Sequence, residues 1–279
     1  MKISFVVAQP SKLVGMGHVS RCNALWQAFS SLGYPSTFCS LSEAMSSDIA
    51  IIDDYVISQE QLHLLSRSSV FTVLIRDFDT NLVCDMYIDT AVDSVPRYTL
   101  LRHEFLNTTP INIKPQVTDI LLTLGGTDPH DLSSKAKHYI GLTMPHTTIH
   151  TPLGNCPYNE MYSLMSRCDI ALSGAGGTIW ELFSLGVPSL FLCQARNQAK
   201  NASFLQEHGL LLSNIGEAAP KLLELARDFN KRKRIQDFMI SASNPNGAIE
   251  AAQAVLAQYK KSKSRSNIGR VHTTKCTDL

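Results

Sequence analysis

Short, largely apolar runs alternate along the chain with longer stretches whose apolar residues fall at helical spacing. Residues 3–8 form the first run, which ends in a loop containing Pro10. In residues 18–32 the apolar positions include Val19, Cys22, Leu25, Trp26 and Phe29, the spacing of one helix face. Gly33 stands where a glycine commonly ends such a helix. Further strands are predicted at residues 36–40, 48–53 and 70–75, with a weaker one at 86–88. Strands alternating with helices imply parallel βαβ units.

The pattern then starts again. Pro110 and Pro115 bracket a short polar stretch, and a second series of strands is predicted at residues 119–124, 146–150, 169–173 and 189–193. The halves share this alternation without a direct sequence repeat. The expectation is an α/β chain of two domains, 1–115 and 116–259, whose last helix covers residues 246–259. Residues 260–279 are basic and poor in apolar side chains, which predicts a flexible tail.

Composition narrows the class. A chain of 279 residues matches two domains at roughly 150 residues each. With 44% hydrophobic and 18% charged residues it reads as globular and long enough to fold without a metal or disulfide staple. Lys+Arg 25 against Asp+Glu 24 leaves a formal charge of +1, so no field for a polyanion is expected and no nucleic-acid partner follows. No apolar run approaches the ~20 residues of a membrane-spanning helix, and the opening MKISFVVAQP is too short for a signal-peptide core. The seven cysteines are scattered, with no C-x-x-C pair, and read as reduced thiols of a cytoplasmic protein.

Three glycine-rich turns follow predicted strands. In the first, Gly15, Gly17 and His18 open a helix, where free N–H groups and the helix dipole favour an anion. A plain strand-to-helix turn capped by His18 explains the same residues. In the second, Gly125, Gly126 and Thr127 suit close approach of a ligand to a strand's carboxyl end. The alternative there is a turn with Asp128 or Asp131 capping the next helix. The third is the most specific: Ser173-Gly174-Ala175-Gly176-Gly177-Thr178 joins a strand to a helix, aiming free N–H groups at an anion. Glu181 lies one turn further on, suited to accept hydrogen bonds from ribose hydroxyls. Asn197 and Gln198 follow the next strand as polar recognition groups or loop residues. Asp53 and Asp54, with Tyr55 at the strand exit, and Asp77 and Asp79 read as paired carboxylates or helix caps. His146 and His150 have no further ligand cluster around them, so no metal is expected.

Taken as an ordered set, these residues resemble one family. The set is G-x-G-H-V-x-R-C, then Y-x-L-L-R-x-E-F, L-G-G-T-D-P, and S-x-x-G-G-T-x-W-E-L with G-V-P and N-Q. It is similar to the UDP-2,4-diacetamido-2,4,6-trideoxy-β-L-altropyranose hydrolases of pseudaminic acid biosynthesis, over most of the chain to about residue 255. The resemblance implies a GT-B architecture like that of MurG-type glycosyltransferases: two Rossmann-like domains facing across a cleft. The C-terminal domain would hold UDP and the N-terminal domain would act on the sugar. The last helix would pack back on the N-terminal domain, and no cofactor or metal would be used. By position, His18 matches the catalytic histidine, Gly177, Thr178 and Glu181 match the nucleotide-binding segment, and Asn197 and Gln198 match a later amide pair. Gly15, Gly17, Gly125, Gly126, Thr127 and Gly176 join them as binding candidates, and Asp53, Tyr55 and Asp77 are the sugar-side candidates. The chain departs from the family at Val7 and Gln9, where an Arg-x-Asp pair is usual, and at Arg76-Asp77, where the family has Asp-Asp.

Three functions fit that reading. A hydrolase would release UDP from its sugar by water attack, with His18 as the base, since histidine accepts protons at neutral pH. A glycosyltransferase would pass the sugar to an acceptor, although no amphipathic basic patch suits a membrane-borne one. A non-catalytic relative would bind the nucleotide sugar only. The fold does not choose among the three.

Overall fold

The computed structural model describes residues 1–8, 17–91, 95–125, 128, 130–152 and 156–272, with the side chains of 266–272 left aside. Its first sheet contains β1 (Ile3–Val7), β2 (Ser36–Phe38), β3 (Ile49–Asp53), β4 (Phe71–Arg76) and β5 (Met86–Asp89), ordered β2-β1-β3-β4-β5. Helices α1 (Gly17–Ser31), α2 (Leu41–Ala44) and α3 (Gln59–Arg67) flank it. The second sheet contains β6 (Asp119–Thr123), β7 (Thr148–His150), β8 (Ile170–Gly174), β9 (Ser189–Leu192) and β10 (Leu211–Leu212), ordered β10-β9-β8-β6-β7. With it lie α4 (Leu132–Thr143), α5 (Tyr158–Arg167), α6 (Thr178–Leu185), α7 (Ala199–Glu207), α8 (Ala218–Arg227) and α9 (Phe229–Ser241). A last helix, α10 (Gly247–His272), follows.

Every strand pair is parallel, and the register sets Phe5 beside both Phe38 and Ile51. Such sheets are covered on both faces, which is why their strands read as continuous apolar runs. On one face of the first sheet Ile3, Phe5, Ile49, Ile51 and Val73 pack with Cys22, Leu25 and Phe29 of α1. On the other, Val6, Ala50, Ile52 and Leu74 pack with Leu62 and Leu65 of α3. Local chemistry sets the helix ends. Ser40 with Glu43 and Ser58 with Gln61 form capping boxes at α2 and α3. Gly33, at φ +80°, follows the end of α1 as the spacing predicts.

The chain crosses between the sheets twice, and the crossings touch. Asn244 Nδ2 donates to the Arg97 carbonyl at 3.0 Å, and Thr99 Oγ1 donates to the Asn244 carbonyl. A Cβ on Gly247 would run into the Thr99 backbone. From there α10 returns to the first sheet, burying Ala248, Ala251, Ala252, Val255 and Leu256 in the core shared with α1. Its helix runs to His272, whereas the apolar pattern ends at Tyr259 and the residues beyond were expected to form a flexible tail. Apolar periodicity reports burial, but Lys and Arg are good helix formers and a helix once started gains a hydrogen bond per added residue.

Candidate active site

Both sheets place their first strand inside and their second strand outside it, so the strand order reverses between β1 and β3 and again between β6 and β8. In open α/β sheets a ligand crevice lies beyond the carboxyl ends of such strands. The sequence candidates gather at these two points.

On the first side His18 sits in the opening turn of α1, buried, its Nε2 at 2.7 Å from the Ala8 carbonyl. A carbonyl only accepts, so in the neutral ring Nε2 carries the proton and Nδ1 keeps the lone pair. The Tyr55 ring lies edge-on to His18 and stacks on Phe78 at 5.8 Å. One turn along α1, Arg21 donates from Nε and Nη2 to both oxygens of Asp53, at 2.5 and 2.6 Å, and from Nη1 to Asp77 Oδ2 at 2.9 Å. Tyr55 and Asn197 also donate to Asp77 Oδ2, at 2.9 and 3.1 Å, while the buried Asp77 Oδ1 has no partner among the described residues. Asp53 and Asp77 are therefore neither a proton-sharing pair nor helix caps; one guanidinium grips both. Burial opposes the charge on Arg21, but Asp53 and then Asp77 outweigh it and hold its pKa well above the ordinary value. Burial, chiefly, pushes the Tyr55 hydroxyl to about 12, so it stays protonated and donates. Burial and the adjacent Asp53 raise the Cys22 thiol as well, which rules out a thiolate there.

On the second side Gly125, at φ +101°, and Gly174 end neighbouring strands, and the Gln194 amide oxygen lies beside both. The turn through Gly176 and Gly177 leads directly into Thr178, the first residue of α6. Gln198 Oε1 accepts from the Gln194 backbone at 2.9 Å, and its Nε2 lies next to Gly176. The amide pair thus divides: Gln198 serves the glycine turn and Asn197 reaches across to Asp77. The two oxygens of Glu181 take a forked pair of hydrogen bonds from Arg102, both at 2.5 Å, and the residue is 7% exposed. Burial raises its pKa and Arg102 opposes that.

The remaining candidates resolve simply. Asp128 accepts from the Leu132 and Ser133 amides at 2.9 and 2.7 Å and so caps α4. Gln9, Gly15, Gly126 and Thr127 lie outside the described residues. Arg76 turns away from the Arg21 cluster to Asp89 and lies 4.0 Å over the Tyr87 ring. His150 pairs with Asp119, and among the described residues no group of three His, Cys, Asp or Glu could hold a metal. Arg21, Arg102, Tyr158 and Gln194 were not among the candidates, although Arg21 and Arg102 stand inside the quoted motifs; a helical count from His18 would have put Arg21 on the same face. The ends of the two sheets meet through Asn197 with Asp77, Lys200 with Asp79 at 2.6 Å, and Tyr158 with Ser20 at 3.1 Å. An open surface concavity of about 660 Å³ near α8 and α9, lined by Leu223, Glu224 and Phe229, lies in the second domain away from these groups and has none of them in its lining.

Solved structures settle the architecture. Acinetobacter baumannii MurG superimposes over 92% of this chain and 99% of its own, with a TM-score of 0.61 at 11% identity. The fold is GT-B. A UDP-GlcNAc 2-epimerase from Neisseria meningitidis, solved with UDP-GlcNAc bound, shares the GT-B fold over 94% of this chain and all of its own (TM-score 0.57, 15% identity). No protein-family model matches the chain. Among curated proteins, the Helicobacter pylori pseudaminic acid cytidylyltransferase and UDP-2,4-diacetamido-2,4,6-trideoxy-beta-L-altropyranose hydrolase is 24% identical over 77% of this chain and 48% of its own. That match bears out the resemblance carried by the motifs. This GT-B chain spans about half the length of the curated relatives it matches. Among the described residues no helix is long and apolar enough to cross a membrane.

Proposed function

We propose that the protein hydrolyses a UDP-activated 2,4-diacetamido-2,4,6-trideoxy sugar, releasing UDP by attack of water at the anomeric carbon with inversion. The observation that carries this reading is the pairing of a histidine whose Nε2 is held by a backbone carbonyl, leaving the lone pair on Nδ1, with a glycine-rich turn at a helix start, one at each strand-order reversal. His18 Nδ1 takes a proton from water as its oxygen bonds to the anomeric carbon. The bond from that carbon to the UDP oxygen breaks, and its electron pair leaves on the diphosphate. N–H groups at the Gly176–Gly177–Thr178 turn stabilise that departing charge. Gly125, Gln198 and Glu181 complete the nucleotide side, with Asp53, Tyr55, Asp77 and Asn197 against the sugar. The leaving group is already a stable anion, so one base suffices and no metal is invoked. The name of the Helicobacter pylori relative supports the choice of sugar.

The test is incubation with a panel of UDP-sugars and no acceptor, followed by phosphorus NMR. UDP release from the 2,4-diacetamido sugar alone is the expected result. Release only after an acceptor is added would make the protein a glycosyltransferase, and binding without release would leave a nucleotide-sugar-binding protein.

A further inference from the structure

Arg102 belongs to neither sheet. It lies on the segment joining β5 to β6, just before a short turn of 3-10 helix at His103–Phe105, and its side chain is 10% exposed. Its guanidinium fork closes on both oxygens of Glu181 in the first turn of α6. One carboxylate offers about four lone-pair sites, so this grip leaves two for another donor pair such as a cis-diol. The guanidinium also lies over the Tyr158 ring at 4.6 Å and the Phe105 ring at 5.0 Å. The Tyr158 hydroxyl in turn meets Ser20 on α1, two residues after His18. A buried ion pair adds little to stability over apolar residues of the same volume, so stability alone does not account for this one.

We propose that Arg102 is a positioning residue, which fixes the Glu181 carboxylate for the ribose hydroxyls of UDP and, through Tyr158, sets the nucleotide side in register with the helix that carries His18. The proposal rests on the reading of Glu181 as a nucleotide ligand. Arg102 also opposes the burial that raises the Glu181 pKa. The charged groups that face Glu181 are Arg102 and, with the opposite effect, Glu104; Tyr158 stands beyond the guanidinium. Without Arg102, burial and Glu104 both favour the protonated acid.

Calorimetric titration with UDP between pH 6 and 9 tests this on the wild type, Arg102→Met, Arg102→Lys, Glu181→Gln and the Arg102→Met/Glu181→Gln double variant. Wild-type affinity should be nearly flat with pH. Arg102→Met should bind roughly tenfold more weakly at pH 7, as for the loss of one charge-assisted hydrogen bond, and should recover as pH rises and Glu181 ionises. Arg102→Lys keeps the charge without the fork and should fall between the two. In the Glu181→Gln background the Arg102 change should cost less than twofold, because its effect runs through the carboxylate. A folded Arg102→Met that binds like wild type, or that loses affinity equally at every pH and in both backgrounds, would overturn the proposal. If Arg102→Met does not fold, Arg102→Lys with wild-type affinity and pH profile would do the same. Wild-type affinity in Glu181→Gln, by contrast, would remove the nucleotide reading of Glu181 itself and the Arg102 proposal with it.

Discussion

A histidine at the start of a helix is an ordinary cap until its ring nitrogens are accounted for. At His18 the Ala8 carbonyl occupies Nε2, which fixes the tautomer and leaves Nδ1 as the basic atom. The groups around it divide the remaining work. Arg21 carries a permanent charge clamped by Asp53 and Asp77, and Tyr55 is a neutral donor beside the histidine ring. Neither Arg21 nor Tyr55 is a competing base. His18→Asn should therefore lower turnover by roughly 10²–10⁴-fold, the usual worth of a general base, with UDP affinity near wild type. Steady-state release of UDP and a thermal melt check this together. Near-wild-type turnover would take His18 out of the mechanism, and a lost melting transition would make it a structural residue.

At the scale of elements, strands and glycine turns were legible because burial on both faces of a parallel sheet leaves continuous apolar runs, three of which run on into glycine-rich segments. β10 was not, since Leu211 and Leu212 form a two-residue strand with no pattern to detect. The partners of the site carboxylates were also hidden. Arg21 and Asp53 are 32 residues apart, Arg102 and Glu181 79 apart, and no periodicity encodes such pairs. Asp169 shows the same long reach in a purely structural role. It precedes β8 and accepts from the Thr118 and Asp119 amides at the start of β6, at 2.8 and 3.0 Å, while pairing with Lys114 at 2.8 Å. Burial opposes its charge, but Lys114 and the two amides prevail and lower its pKa. A carboxylate whose folded pKa is depressed contributes stability that is present above its unfolded value, about 3.9, and is lost as pH falls through the folded one. Asp169→Asn should cost on the order of 1–2 kcal/mol at pH 7, and the gap to wild type should begin to narrow below about pH 4. Urea melts at pH 7 and pH 3.5 measure this; a gap that persists unchanged at low pH would mean that the charge is not what Asp169 supplies.

At the scale of the molecule, the first domain is not a contiguous piece of chain. Its sheet is made by residues 3–89, yet one face is completed by α10, which arrives only after the whole second domain. Ala248, Ala251 and Ala252 let α10 approach α1 closely, Val255 and Leu256 fill the core, and Tyr259 meets Phe71 edge-on while its hydroxyl donates to Asp48. Burying Val255 and Leu256 alone is worth on the order of 3–6 kcal/mol. A domain's whole stability is only about 5–15 kcal/mol, so losing this helix takes much of the margin. A fragment of residues 1–115 should therefore fail to fold cooperatively. The same fragment joined through a flexible linker to residues 243–265 should regain a sigmoidal melt, because the linker supplies the missing helix at high effective concentration. Circular dichroism of the two fragments decides it. A cooperative transition at the same midpoint in both would show that the first sheet stands without α10 and that the helix serves only to tie the two halves together.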